Sequence, residues 1–324
     1  MSRRSRRSEN GSRTAGRWRG RHVLTTAAGA IAVTAVLAYV MADRRDEFTA
    51  ALQTAPVLIF LAAAALQMLA LVARTEAWHV CVAAAGGTVG RRVLYRAASL
   101  GYLGSQLNSQ LGAAARIAAL RRSGRERCPR VPALVAAEIP ILTIEAVLAA
   151  LTSFTLVGPL GLPWWLPLVL LAVALAITAG VAGAASRWRK GFFSGLAVLR
   201  NLHGRAAVIG LVLVAVFAQI ARNWMMLHAV GVDASVFDAI AVLIALIVLS
   251  QLPIGPSVGA AAVVAVLGGD GVALAAAAGV LLTATGTAGA LAYAATAGVD
   301  RLWTARPRPE PRVTREPAAA VTRA

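Results

Sequence analysis

Gly104-Ser105-Gln106-Leu107-Asn108-Ser109-Gln110-Leu111-Gly112 occupies the middle of segment 93–115, which is long enough to cross a bilayer. Arg91 and Arg92 precede the segment, and Arg116, Arg121, Arg122, Arg125, Arg127 and Arg130 follow it. A crossing helix would put these clusters on opposite sides of the membrane, whereas Lys and Arg gather on the cytoplasmic side. The polar, glycine-broken centre is also backbone that lipid cannot satisfy but surrounding protein can. The stretch reads as a re-entrant hairpin that enters from the cytoplasm and returns to it.

Of the 324 residues, 58% are apolar and 14% charged, against about 25% charged in a soluble domain. With a mean hydropathy of +0.70, this composition excludes a soluble globular protein and a disordered chain. Two cysteines, Cys81 and Cys128, are too few for an extracellular disulfide scaffold, and both fall on the side where thiols stay reduced. Apolar runs at 23–42, 56–80, 131–157, 165–186, 206–228 and 272–297 each approach the ~20 residues of a spanning helix. A cleaved signal peptide is the competing reading of 23–42, with Val40-Met41-Ala42 as its cleavage site. That run exceeds the usual signal core of about 7–15 residues.

The net charge of +18 reports topology rather than nucleic-acid binding. Segments 1–22, 81–130, 187–205 and 300–324 hold 28 of the 32 basic residues and are placed in the cytoplasm. Arg44 and Arg45 alone fall in an external loop, and Arg74 and Arg222 lie inside spans. The basic tail 1–22 and the Pro/Arg-rich tail 300–324 are expected to be disordered. Trp164 and Trp165 read as an external aromatic belt, and Arg187 to Phe193 as an interfacial segment attracted to anionic lipid.

Segment 239–268 mirrors the first hairpin from the other side. Asp233, Asp238 and Asp270 flank it without Lys or Arg, and Pro253-Ile254-Gly255-Pro256-Ser257-Val258-Gly259 breaks it. Ser105-Gln106-Leu107 recurs as Ser250-Gln251-Leu252, and Gly112-Ala113-Ala114-Ala115 as Gly259-Ala260-Ala261-Ala262. Spans starting at 23, 56 and 131 map onto those at 165, 206 and 272, and Ala73-Arg74 maps onto Ala221-Arg222. The expected fold is therefore all-α and polytopic, with six spanning helices and two re-entrant helical hairpins. Residues 23–160 form one repeat and 161–299 the other; three spans per half make the repeat inverted, as in many transporters.

Gly112 and Gly259 are expected near the starts of the second hairpin legs, where helix N-termini favour an anion. Arg116 in the first of these legs can meet a phosphate, or belong to the positive-inside cluster. Arg74 and Arg222 are expected one at each membrane face, as headgroup contacts or as snorkelling side chains. Glu138 and Glu145, seven residues apart on one helix face, are candidates for a proton or charge relay or for partners of Arg116 or Arg222. Gln106, Asn108, Gln110, Gln251 and Ser257 either line a cavity or satisfy broken backbone. HExxH spacing, CxxC and a P-loop do not occur, so neither enzyme chemistry, a metal nor a cofactor is expected.

Gly112-Ala-Ala-Ala-Arg116 and Leu252-Pro253-Ile-Gly-Pro256-Ser-Val-Gly259 resemble motifs of the lysylphosphatidylglycerol synthase transmembrane family, the flippase-like domain. The resemblance runs over roughly residues 20–300 and implies a lipid-translocating fold. Ala113 and Ala262 stand where that family usually carries acids, and Asn108 where it carries a proline. The stretch after the last span is too short for a synthase domain, so lipid aminoacylation is not expected of this chain. The expected function is translocation of a phosphate-bearing or anionic lipid headgroup across the plasma membrane. The expected partners are membrane lipid and anionic lipid surfaces, with no nucleic acid. The alternatives are a non-transporting scaffold subunit bound to a lipid or glycan-lipid enzyme, and a permease for a small solute; homo-oligomers are compatible with each.

Overall fold

The computed structural model describes residues 46–47, 49–50, 56–106, 109–123, 128–188, 190–251 and 258–305, and these contain helices and no strands. The expected first span, 23–42, and the basic tail 1–22 lie outside the described residues. Five helical segments are long and apolar enough to cross a membrane: Val57–Ala84, Val131–Leu160, Leu166–Arg187, Leu202–Ala229 and Val272–Val299. They coincide within a few residues with the last five runs read from the sequence, and they make this an all-helical, multi-pass membrane protein. The last helix continues to Ala305, past the boundary expected at 299.

In chain order the helices are α1 (Val57–Ala84), α2 (Arg91–Ser105), α3 (Ser109–Arg122), α4 (Val131–Ala136), α5 (Ile139–Thr152) and α6 (Val157–Leu160). They continue with α7 (Leu166–Arg187), α8 (Leu202–Ala229), α9 (Val236–Leu249), α10 (Val258–Leu267) and α11 (Val272–Ala305). The segment 131–160 is one apolar run but three helices. Pro140 has no N–H to offer the preceding turn, and the chain breaks at Ala137 and Glu138. A 3-10 turn, Ser153–Leu156, separates α5 from α6.

Helices α1 and α8 form the axis of the molecule and make its most extensive helix pair. Each has 28 residues, about 42 Å of helix, and each is followed by a glycine at positive φ, Gly86 at 88° and Gly231 at 84°. Ala70 and Ala73 of α1 meet Ala215 and Ala218 of α8. Small side chains of this kind bring membrane helices close, where dispersion and not water exclusion holds them.

The two hairpins pack toward opposite ends of this axis. Ala77, Trp78, Cys81 and Val82 of α1 share a core with Leu94 and Ala97 of α2 and Leu120 of α3. Ala63, near the other end of α1, shares a core with Val242 of α9, Val263 of α10 and Ala277 of α11. Helices α2 and α3 approach closely because Gly112 faces Gly101; a methyl group on Gly112 would lie 2.6 Å from the Gly101 carbonyl oxygen. Gly259 of α10 abuts Gly279 and Thr283 of α11 in the same manner.

Helix α7 is peripheral, and only its Ala174 and Ala185 are buried. Leu168, Val169, Leu170, Val173, Leu175 and Ile177 face outward, the arrangement expected of a helix whose solvent is lipid. Tyr293 of α11 ties the first hairpin to the bundle. Its ring stacks on Tyr95 and meets Tyr102 edge-on, and its hydroxyl lies 2.9 Å from Thr75 Oγ1.

Candidate functional site

A cavity of about 520 Å³ lies between α1, α5, α8 and the two hairpin tips. Helix α1 contributes Gln67 and Arg74, α5 Glu145 and Thr152, and α8 Gln219 and Arg222. Ser105 and Gln106 reach it from the end of α2, and Ser250 and Gln251 from the end of α9. The Ser-Gln pair recognised twice in the sequence thus contributes twice to one cavity. Gln106 is fixed by Thr287 of α11, whose hydroxyl donates to its Oε1 at 3.1 Å.

Three arginines were singled out from the sequence, and each has a different electrostatic surrounding. Arg74 Nη2 donates to Glu145 Oε2 at 2.6 Å, and both side chains face the cavity. Arg116 pairs with Glu138 and lies over the ring of Trp78, 4.3 Å from its centre. Glu138 sits at the break between α4 and α5, so this ion pair pins α3 to that break. Arg116 is outside the cavity wall.

Arg222 is 7% exposed and has no carboxylate partner among the described residues. Its guanidinium donates to Gln67 Oε1 and, at 3.2 Å, to Asn223 Oδ1. Among the described residues, Arg222 Nε and Asn223 Nδ2 are buried without a hydrogen-bond partner, as is Arg116 Nε. An arginine at the centre of a membrane helix costs about 3 kcal/mol even by the lower scales. Two neutral amide oxygens offset only part of that. Among the described residues, the cavity therefore holds one positive charge without a counter-ion.

Arg74 and Arg222, expected one at each membrane face, both line this cavity. Arg222 bonds Gln67, which precedes Arg74 by seven residues on α1, about 10 Å along the helix axis. Glu138 pairs with Arg116, one of the two partners the sequence offered, whereas Glu145 pairs with Arg74, which it did not offer. Glu76 accepts from Tyr95 at 2.9 Å and lies 3.4 Å from Arg91.

The second hairpin legs begin at Ser109 and Val258, so Gly112 lies inside α3, buried between the legs rather than at their mouth. Gly259 lines the cavity in the first turn of α10. Asn108, Ser257 and the Gln110 side chain lie outside the described residues. Gln67, Thr152, Gln219 and Thr283 were not singled out, although a glutamine inside an otherwise apolar span was the available signal for the first and third.

The cavity has an apolar side that reaches the outer surface of the bundle. Leu142, Phe217 and Ile247 line it and remain 51%, 64% and 41% exposed. A polar interior beside exposed apolar residues suits a ligand with a charged head and a hydrocarbon tail. No protein-family model, curated protein or solved structure matches the chain.

Proposed function

We propose that the protein is a lipid translocase of the plasma membrane that takes a phosphate-bearing headgroup into this cavity while the acyl chains remain in the bilayer. The carrying observation is the uncompensated, buried Arg222 in a cavity whose apolar side reaches the lipid-facing surface. In this reading the chain has six spans, both termini are cytoplasmic, and the hairpins α2–α3 and α9–α10 are re-entrant from opposite faces. The packing of these hairpins toward opposite ends of α1, with matched Ser-Gln tips in one cavity, supports the inverted repeat. A small-solute permease would favour polar walls closed to lipid.

Arg222 and the start of α10 supply positive potential to the phosphate. Arg74 and Glu145 form a neutral pair that a second charge can open. The resemblance to the flippase-like family agrees with this reading but departs at the acids. Ala262, which stands for one of them, is fully buried. That burial favours, as a second reading, a scaffold subunit without transport.

The test is acyl-chain-labelled phosphatidylglycerol in liposomes containing the purified protein, with a membrane-impermeant quencher added outside. Translocation lets the quencher reach the inner-leaflet label as well. Arg222→Gln is expected to return quenching to the level of protein-free liposomes. Wild-type protein that behaves like empty liposomes would sink the translocase and leave the scaffold, which a pull-down from native membranes would then have to find with a stoichiometric partner. Single cysteines at 108 and 255, with controls at 45 and 125, test the topology: 255 should label from outside and 108 only from the cytoplasm.

A further inference from the structure

Arg74, Glu145 and Arg222 are the only ionisable side chains in the cavity wall among the described residues. The neighbouring stretches 107–108 and 252–257 contain no ionisable side chain in their sequence. Two guanidiniums and one carboxylate leave a single net positive charge. That carboxylate is already engaged by Arg74 at 2.6 Å. A headgroup amine would therefore meet no available acid and would sit beside an uncompensated cation.

From this charge balance, and resting on the translocase reading, we propose that the cavity selects a headgroup with one net negative charge and no amine, an amine-free phosphodiester. The phosphate charge neutralises Arg222, whose Nε has no partner among the described residues. The remaining wall offers amides and hydroxyls, from Gln67, Gln106, Gln219, Ser250, Gln251 and Thr283, which suit glycerol- or sugar-type hydroxyls. A zwitterionic or aminoacylated headgroup brings a cation the wall cannot pair. A phosphomonoester brings a second negative charge the wall does not neutralise. Burial makes both mismatches costly, because charges in a low-dielectric site are poorly screened.

Binding to the purified full-length protein in detergent tests this by titration calorimetry with four probes. They are short-chain phosphatidylglycerol, phosphatidylethanolamine and phosphatidic acid, and the soluble glycerophosphoglycerol. Wild-type protein should bind phosphatidylglycerol about tenfold or more tightly than either other lipid, roughly 1.4 kcal/mol of discrimination. Glu145→Gln raises the net charge of the wall by one and should move the preference to dianionic phosphatidic acid. Arg222→Gln removes the net charge and should abolish discrimination between phosphatidylglycerol and phosphatidylethanolamine, and Arg222→Lys should keep it.

The wild-type ranking needs no variant to fold, so the proposal is testable even if Glu145→Gln is unstable. Equal binding of all three lipids would overturn the charge rule while leaving a lipid site in place. Tight binding of glycerophosphoglycerol without binding of its lipid would uphold the charge rule and overturn the lipid reading. Binding of none of the four probes would overturn both.

Discussion

Arg116 and Arg222 are both taken out of water by apolar helices, yet one is closed and the other open. Arg116 has a carboxylate from Glu138 and the face of Trp78. Arg222 has two amide oxygens and, among the described residues, no carboxylate, while the Nε of both arginines is buried without a hydrogen-bond partner among those residues. A buried cation that carries its own counter-ion and an aromatic face is finished, and its work is to hold elements together. A buried cation without one is a standing preference for an anion, and it lines the cavity that Ser105, Gln106, Ser250 and Gln251 also line. Burial alone would have ranked the two residues together; the difference lies in what each is given to pair with.

Breaking the closed site should cost the most. Glu138→Gln leaves Arg116 without its counter-ion and is expected to destabilise the protein by about 3–5 kcal/mol, read as a large drop in the unfolding midpoint followed by circular dichroism in detergent. An unchanged midpoint would mean that the pair is dispensable and the contrast with Arg222 false. Gly112→Ala comes next, because its methyl group would meet the Gly101 carbonyl and, at 2.8 Å, Ser105 Cβ. Overpacking of this kind costs about 1–3 kcal/mol. Gly180→Ala, with open space around the new methyl, should by contrast be neutral or stabilising.

Tyr293→Phe removes one hydroxyl from the contact with Thr75 and keeps the ring stack, for an expected loss of about 1 kcal/mol. The smallest change in stability is expected at the open site. Arg222→Gln removes a cation that lacks a counter-ion, so the midpoint should stay within error or rise while lipid translocation is lost. A fall as large as that of Glu138→Gln would make Arg222 a structural residue and remove the basis of the proposed site.

Much of this fold was legible because spanning a membrane is a local demand. About 20 apolar residues are required whatever the rest of the chain does, and the five described spans stand where the sequence put them. The breaks were legible for the same reason. Pro140 interrupts its run through its own missing N–H, and the Ser-Gln stretches end α2 and α9 where the apolar pattern stops. The site was legible only by residue type. Arg74, Arg222, Gln106, Gln251 and Glu145 were all singled out, but Gln67, which accepts from Arg222, was not.

Length, composition and the sidedness of arginine were thus enough to make this chain a helical membrane protein broken at two polar tips. Each of those properties depends on neighbours in sequence and on the bilayer. Counter-ion choice is different, because Arg74 meets Glu145 across 71 positions and Arg222 meets Gln67 across 155. Only the crossing of α1 and α8 on small alanines, and the docking of a hairpin toward each end of that pair, decides which acid is spent on which arginine. The arginine left over, and the cavity that surrounds it, exist only in the assembled bundle.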